Sequence, residues 1–345
     1  MKRIFVLVFL LWCIILPAAA LEIQAPEVPE SGRLWMPEED SLGDGLAQML
    51  EKALSFLTPE LKNAAGFSAK ILAIVLLASI LQSVSEPVRP VCGIAQTVGI
   101  SAVMIGHTGT LLTLGMDTVR EITDYGKLLL PVMTAAVAAQ GGVTASAALY
   151  TGTAVFNAVL SSLITSAIMP GIRLYLVISM VGGVTGEAFL NRIADFLKSI
   201  SAWVMKTLMM VFTSYLGITG VVSGTTDAAA LKAAKVTIST IVPVVGSILS
   251  DASEAVLVGA GMIKNAAGIY GILAVLAVFA GPFLRLLAHW LVLKLTGAVC
   301  AVFGSKAAVS LIDAFATAMG FLLAVTGGCC VMVLVSTVCF MRSVQ

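Results

Sequence analysis

Ionisable side chains within or beside long apolar runs are the residues of this sequence best suited to chemistry. A charge in hydrocarbon is costly, so such a residue commonly belongs to an ion path, a proton relay or a partner contact. Eight positions share this placement: Lys70, His107, Arg173, Lys206, Arg285, His289, Lys294 and Asp313. The alternative for the long basic side chains is that they reach the lipid headgroups. For His107 the alternative is a packing role.

Catalytic and metal-binding motifs are absent from the sequence. No G-x-S-x-G, H-E-x-x-H, Walker or G-x-G-x-x-G pattern occurs. His107 and His289 are the only histidines, which disfavours a metal site. Apart from Cys13 near the N-terminus, the cysteines lie in or at apolar runs, where cysteine behaves as a small hydrophobe. We therefore expect no catalytic residues, no cofactor and no metal.

The composition is that of a protein in lipid. Of 345 residues, 59% are hydrophobic and only 11% are charged, and the mean hydropathy is +1.03. Soluble domains carry about 25% charged residues, so this chain lacks the polar side chains to cover a water-facing globule. The formal net charge of +1 argues against nucleic-acid binding, which normally requires a strongly basic face.

Residues 1–20 have the layout of a secretory signal peptide. Lys2 and Arg3 precede the apolar stretch from Ile4 to Leu16, and Pro17 and three alanines follow it. We expect cleavage after Ala20. The alternative is an uncleaved first membrane helix, although thirteen apolar residues are too few to cross about 30 Å of hydrocarbon.

The segment 21–64 forms an acidic leader. Residues 21–60 contain nine acids and two bases, and prolines in the first half predict an extended or disordered chain. From Leu42 to Leu57 apolar residues recur at helical spacing, which predicts a short amphipathic helix at the membrane surface or against a partner. The alternative is a solvated connection to the first membrane helix. If the signal peptide is cleaved, the leader lies outside the cytoplasm.

Residues 65–345 consist mainly of long apolar runs. A helix needs about 20 residues to span the hydrocarbon, and the runs are continuous rather than alternating, which excludes barrel strands. The pattern predicts an all-α, polytopic integral membrane bundle with seven to ten membrane segments. Seven runs are long: 67–84, 91–114, 145–169, 201–222, 266–284, 286–303 and 319–340. Three are shorter: 128–139, 172–184 and 236–249.

Matching prolines predict an internal repeat. Pro131 and Pro243 are each followed by valine and lie 112 residues apart, and P-x-x-R-L recurs at the same offset, starting at Pro170 and at Pro282. These matches predict duplicated halves at 127–222 and 239–340. The alternative is coincidence, because few positions match.

The short runs that contain Pro131 and Pro243 are candidates for re-entrant or broken helices. Interrupted segments at corresponding places of two repeats commonly line a polar path in transporters. The alternative is that both are ordinary tilted spans. If the repeat is real, Arg173 and Arg285 form a second matched set that either anchors equivalent helices at the interface or pairs with the carbonyls that the prolines free.

A polar stretch between the proposed halves, Gly224–Lys235, contains Asp227, Lys232 and Lys235. A loop of this kind is commonly a mere connector, but loops also carry function out of proportion to their length. We expect Lys232 and Lys235 to contribute to a partner contact.

Three stretches of the chain resemble the stage III sporulation protein AE family of endospore-forming bacteria. They are Gly224–Lys235, the segment from Pro243 to Asp251, and the LLPVMTAA stretch from Leu129 to Ala136. The resemblance covers roughly residues 65–345.

The resemblance implies a non-enzymatic subunit of the multiprotein, secretion-like channel between mother cell and engulfed forespore. It implies location in the mother-cell membrane around the forespore, and a requirement for late forespore development. The partners it implies are sibling stage III sporulation proteins of one operon, including a secretion-type ATPase and ring-forming proteins. The alternative is a stand-alone secondary transporter. The lack of charge in 128–139 and 236–249 weakens that alternative, because ion-coupled transport needs ionisable groups at such sites.

Overall fold

The computed structural model describes residues 26–38, 41–84, 89–140, 143–241, 246–303 and 305–342, and of 216–265 it describes at most the backbone. These parts of the chain form helices joined by short connections, without a strand, which confirms the predicted all-α class. The helices are α1 (Glu30–Arg33), α2 (Leu42–Val84), α3 (Arg89–Ala139), α4 (Val143–Leu163), α5 (Met169–Thr185), α6 (Ala188–Ile241), α7 (Gly246–Phe303) and α8 (Lys306–Arg342).

The long helices exceed the thickness of a bilayer. At 1.5 Å per residue, the 51 residues of α3 extend about 77 Å and the 58 residues of α7 about 87 Å. The hydrocarbon core of a bilayer is only about 30 Å thick. The bundle must therefore project from the membrane.

Prolines lie inside these helices without ending them. Pro131 lies within α3, and Pro282 lies within α7. The prediction that 128–139 is a short re-entrant or broken helix is therefore wrong, because this run forms the last three turns of α3. Burial of neighbouring side chains such as Met133 and Val137 offsets the roughly 3 kcal/mol that an interior proline costs. Pro243 lies outside the described residues, so the prediction for 236–249 stays open.

A π-helical turn, Ile164–Ile168, joins α4 to α5 in one continuous run. Pro170 is the second residue of α5, directly after Met169. A proline cannot donate to the preceding turn, and the widened π turn accommodates the missing hydrogen bond. The two predicted segments 145–169 and 172–184 are therefore parts of one helical run.

One end of the bundle, which we call the short-turn end, is where α5 and α6 connect. Gly186 adopts a left-handed conformation there, with φ at 74°, and its N–H donates to the carbonyl of Gly182. This geometry caps α5 and reverses the chain. At the same level, Gly183 of α5 lies against Thr97 of α3 and Ala307 of α8.

The opposite end, which we call the leader end, contains the acidic leader. Gly45 of α2 lies against Leu273 of α7, and Gly271 of α7 lies against Leu129 of α3. The leader contains the short helix α1, and Trp35 beyond it is buried between Phe56 and α7. The predicted extended or disordered first half is thus ordered from residue 26 to residue 38.

Large apolar side chains are exposed around the short-turn end. On α3 the charges lie toward the leader end, where five charged residues fall between Asp117 and Lys127. An exposed apolar belt is stable in lipid, so this belt is a candidate lipid-facing surface. The exposed belt includes Leu77, Ile80, Val91, Ile94, Val98, Phe189, Phe196, Leu295, Val299 and Val302.

Within the described residues, five helical segments are long and apolar enough to cross a membrane, fewer than the seven to ten expected. Hydropathy cannot distinguish a lipid-facing run from one buried in protein. Val275 and Val278, for example, lie in a predicted span but are fully buried at the leader end. The five segments are Leu42–Ser83, Pro90–Ala139, Ser146–Thr185, Ala266–Phe303 and Lys306–Met341.

Candidate functional site

An ion pair between a buried carboxylate and a half-exposed arginine joins α2 to α7. The Nη2 atom of Arg285 lies 2.9 Å from Oε1 of Glu60, and Nε of Arg285 donates to the same oxygen at 3.0 Å. The Glu60 side chain is only 8% exposed. Glu60 lies on the buried face of α2, in helical register with Ala64, Ser68 and Ile71. A carboxylate at a core position is stable only when it is paired, and Arg285 supplies the pairing.

Two histidines lie next to this ion pair. His289 is one turn beyond Arg285 on α7, and its Nδ1 is 2.8 Å from the carbonyl oxygen of Arg285. Because a carbonyl only accepts, Nδ1 is the donor, which fixes the orientation of the ring. The ring of His107 on α3 lies 4.6 Å from that of His289 and stacks on Phe67 at 4.0 Å.

The Nε2 atoms of His107 and His289 are both buried and have no hydrogen-bond partner within the described part of the chain. Buried polar atoms are normally paired, so an unpaired one often marks a water, ion or proton site. A metal would need more ligands, and the described residues contain no group of three His, Cys, Asp or Glu side chains that could hold one. The arrangement is thus suited to holding a water or a proton between α3 and α7.

A second ion pair joins α7 to α8 closer to the short-turn end. Nζ of Lys294 lies 2.5 Å from Oδ1 of Asp313, and both side chains are about half exposed. Lys70 and Lys206 are exposed. Neither lysine forms an ion pair with a described residue.

The structure separates Arg173 from Arg285. Arg173 on α5 is exposed, and its Nη2 lies 3.7 Å from Sδ of Met116 on α3. Arg285 instead pairs with Glu60. The expectation that the two arginines form a matched set is therefore not met, because their surroundings differ.

The structure brings together three of the residues singled out in the sequence, His107, Arg285 and His289, and adds Glu60 and Phe67. Glu60 was missed because it was counted with the acidic leader, although its spacing from Ala64 and Ser68 follows a helix face. Pro131 lies apart from this cluster on α3.

The predicted polar loop Gly224–Lys235 belongs to the helix α6. The side chains of Asp227, Lys232 and Lys235 lie outside the described residues. Their expected partner contact therefore stays a prediction.

Comparison with known proteins assigns the family. The sequence profile of the Stage III sporulation protein AE family matches residues 38–343. A curated relative, Stage III sporulation protein AE of Bacillus subtilis (strain 168), is 23% identical over 208 residues. The aligned region is 60% of this chain and 52% of the relative, so the chain spans about half the length of the curated relative it matches. No solved structure matches the chain.

The fold defines a helical membrane protein, with five described segments that are long and apolar enough to cross a bilayer. The chain belongs to the Stage III sporulation protein AE family. Membership in this family indicates a role in sporulation, which confirms the resemblance noted in the sequence.

Proposed function

We propose that this chain is a non-enzymatic subunit of a multiprotein, secretion-like channel between mother cell and forespore. Its place is the mother-cell membrane around the forespore. Its partners are sibling stage III sporulation proteins, including a secretion-type ATPase and ring-forming proteins.

The observation that carries the proposal is the leader end, where the leader is folded onto the charged part of α3. From Asp117 to Ala139, α3 continues for about 35 Å beyond the start of its charged segment. The leader packs against this projection, since Ser31 donates to Glu121 of α3 and Gly32 lies against Val278 of α7. A folded, charged end of this kind is suited to binding partner proteins.

An apolar stripe on the leader end supports a protein partner. Leu46, Leu50 and Leu54 are spaced by one helical turn on α2, and Leu50 and Leu54 are each 63% exposed. They lie on the amphipathic part of α2, at the level of the leader and beyond the lipid-facing belt. An apolar helix face in water is typical of a surface that a partner helix covers.

Site-specific photocrosslinking in sporulating cells tests this function. A photoreactive residue at Leu50 or Leu54 should crosslink to another protein, identified by mass spectrometry. Ile80 on the same helix is 61% exposed in the lipid-facing belt and serves as the matched control. Protein adducts at Ile80 alone, or at none of the three positions, would exclude a partner on this face.

The internal repeat of 127–222 and 239–340 belongs to the same proposal. The matched prolines Pro170 and Pro282 both lie in continuous helical runs, 143–185 and 246–303. Each run is followed by a short connection and another long helix, α6 or α8. An experimental structure in which the two halves do not superpose would contradict the proposed repeat.

A secondary transporter is the second candidate, because Glu60, Arg285, His107 and His289 form a buried cluster between three helices. Paired ionisable groups inside a membrane bundle are what ion-coupled transport requires. Proton uptake into proteoliposomes that contain the purified chain alone distinguishes the two functions. A channel subunit shows no uptake without its partners, and a transporter shows uptake that His289→Phe abolishes.

A further inference from the structure

An apolar groove on the surface of the bundle begins at Arg173. It lies between α3, α5 and α8 and encloses a volume of about 430 Å³. This volume is within the range of about 300–1,000 Å³ that is usual for ligand sites. Besides Arg173, the side chains that line this Arg173 groove include Ile105 and Leu112 of α3, Val177 and Met180 of α5, and Phe315 of α8.

The guanidinium of Arg173 has no acidic partner. Among the described residues, no carboxylate lies within ion-pair distance of it, and its polar contact is with the sulfur of Met116, a weak acceptor. The neighbouring Arg120 differs, because its Nη1 lies 3.7 Å from Oδ1 of Asp117. The donors of Arg173 are thus available to an anionic ligand.

The groove follows the uncharged part of α3. Met116 is the last residue of α3 before the charged segment that starts at Asp117, so Arg173 lies at the boundary between the charged and uncharged parts of α3. From there the groove follows α3 toward the short-turn end as far as Ile105, a distance of about 17 Å. The side chains of Ile105 and Val177 along it are each more than half exposed, so they are available to an acyl chain.

Gly109 gives the groove its depth. A Cβ atom built at Gly109 meets no other atom within 4 Å, so a side chain there would extend into the open space of the groove. An arginine that merely reaches the headgroups needs no such recess beside it.

We propose that the Arg173 groove binds one phospholipid of net negative charge. The phosphate accepts hydrogen bonds from the planar fork of the Arg173 guanidinium, whose donors match phosphate geometry. One acyl chain lies along the groove between α3 and α5. A zwitterionic lipid binds less well, because its choline cation lies close to the guanidinium.

Native mass spectrometry of the full-length chain in detergent measures this binding. With dioleoyl phosphatidylglycerol we expect one lipid retained per chain, and with dioleoyl phosphatidylcholine about tenfold weaker retention. Glycerol phosphate, which has the phosphate but no acyl chains, should not compete at the same concentration. Equal competition by glycerol phosphate would show a free-phosphate site and overturn the proposal.

Two pairs of variants separate the charge from the groove. Arg173→Gln should weaken phosphatidylglycerol binding about tenfold or more, the effect of losing a charged hydrogen bond, while Arg120→Gln should bind like the wild type. Gly109→Leu keeps the guanidinium but fills the groove, and it should weaken binding as well. Gly93→Leu is its control, since Gly93 also faces open space on α3 but lies outside the groove. Wild-type binding by Arg173→Gln or by Gly109→Leu would show that lipid association at this surface is not specific.

Discussion

The indole of Trp35 lies directly on the backbone of Gly281. A Cβ atom at Gly281 would come within 2.8 Å of Nε1 of Trp35, so only glycine allows this approach. Trp35 also meets Phe56 edge-on, with ring centroids 5.1 Å apart, and is 5% exposed. This contact packs the acidic leader against α7, the longest helix described.

Trp35→Ala should therefore destabilise the protein by about 3–5 kcal/mol, the usual cost of removing a buried large aromatic side chain. The neighbouring Leu34 is 77% exposed, so Leu34→Ala should change stability by less than about 0.5 kcal/mol. Thermal unfolding of the full-length chain in detergent measures both. Equal effects of the two substitutions would mean that the leader is not docked.

Removing the Arg285 charge should cost about 3 kcal/mol, because it leaves the buried Glu60 carboxylate without its partner, whereas removing the Glu60 charge should cost less, because the Arg285 side chain is 45% exposed and water solvates it. Glu60→Gln and Arg285→Gln are the single variants, and the double variant should recover part of the loss. Asp117→Asn is the control, since its pair with Arg120 is exposed and contributes about 0–1 kcal/mol. Strictly additive losses at Glu60 and Arg285 would show that the two side chains do not interact.

Replacing His107 by Phe should leave stability within about 1 kcal/mol of the wild type. A phenyl ring keeps the stack on Phe67 and removes the buried Nε2 that has no described partner. If the chain is a channel subunit, cells that make this variant at the wild-type protein level should give the wild-type spore yield. A stable His107→Phe protein that fails to support sporulation would instead assign a proton-handling role to the histidine pair.

The orientation of the protein in the membrane can be tested with one cysteine at each end of the bundle. Ser41 lies at the leader end and Ser305 at the short-turn end. If the signal peptide carries the leader across the membrane, Ser41→Cys reacts with an impermeant thiol reagent added to unengulfed cells, and Ser305→Cys reacts only after lysis. The wild-type chain is the blank that corrects for its own cysteines, of which Cys92, Cys300, Cys329 and Cys330 are buried and Cys339 is partly exposed. The reverse labelling pattern would place the leader in the cytoplasm.

Much of this architecture is readable from the sequence, because long apolar runs dictate helices. The number of separate helices is not readable, since Pro131 and Pro282 look like breaks until the packing around them is known. Hydropathy also assigned the region of Val275 to lipid, whereas the structure buries it under the leader. Glu60 shows a related limit, because its helix face is visible in the sequence but its partner lies 225 residues away.

The π turn at Ile164–Ile168 has a consequence for how this protein tolerates insertions and deletions. A π turn holds one residue more than the α-helical turn it replaces, so the residues after it are rotated by about 100° relative to an uninterrupted helix. Removing a single residue such as Ser166 would restore regular α geometry. The same change would turn Arg173 away from Met116 and present a different side of α5 to α3. The length of this one turn therefore sets the rotational phase of the helix that follows.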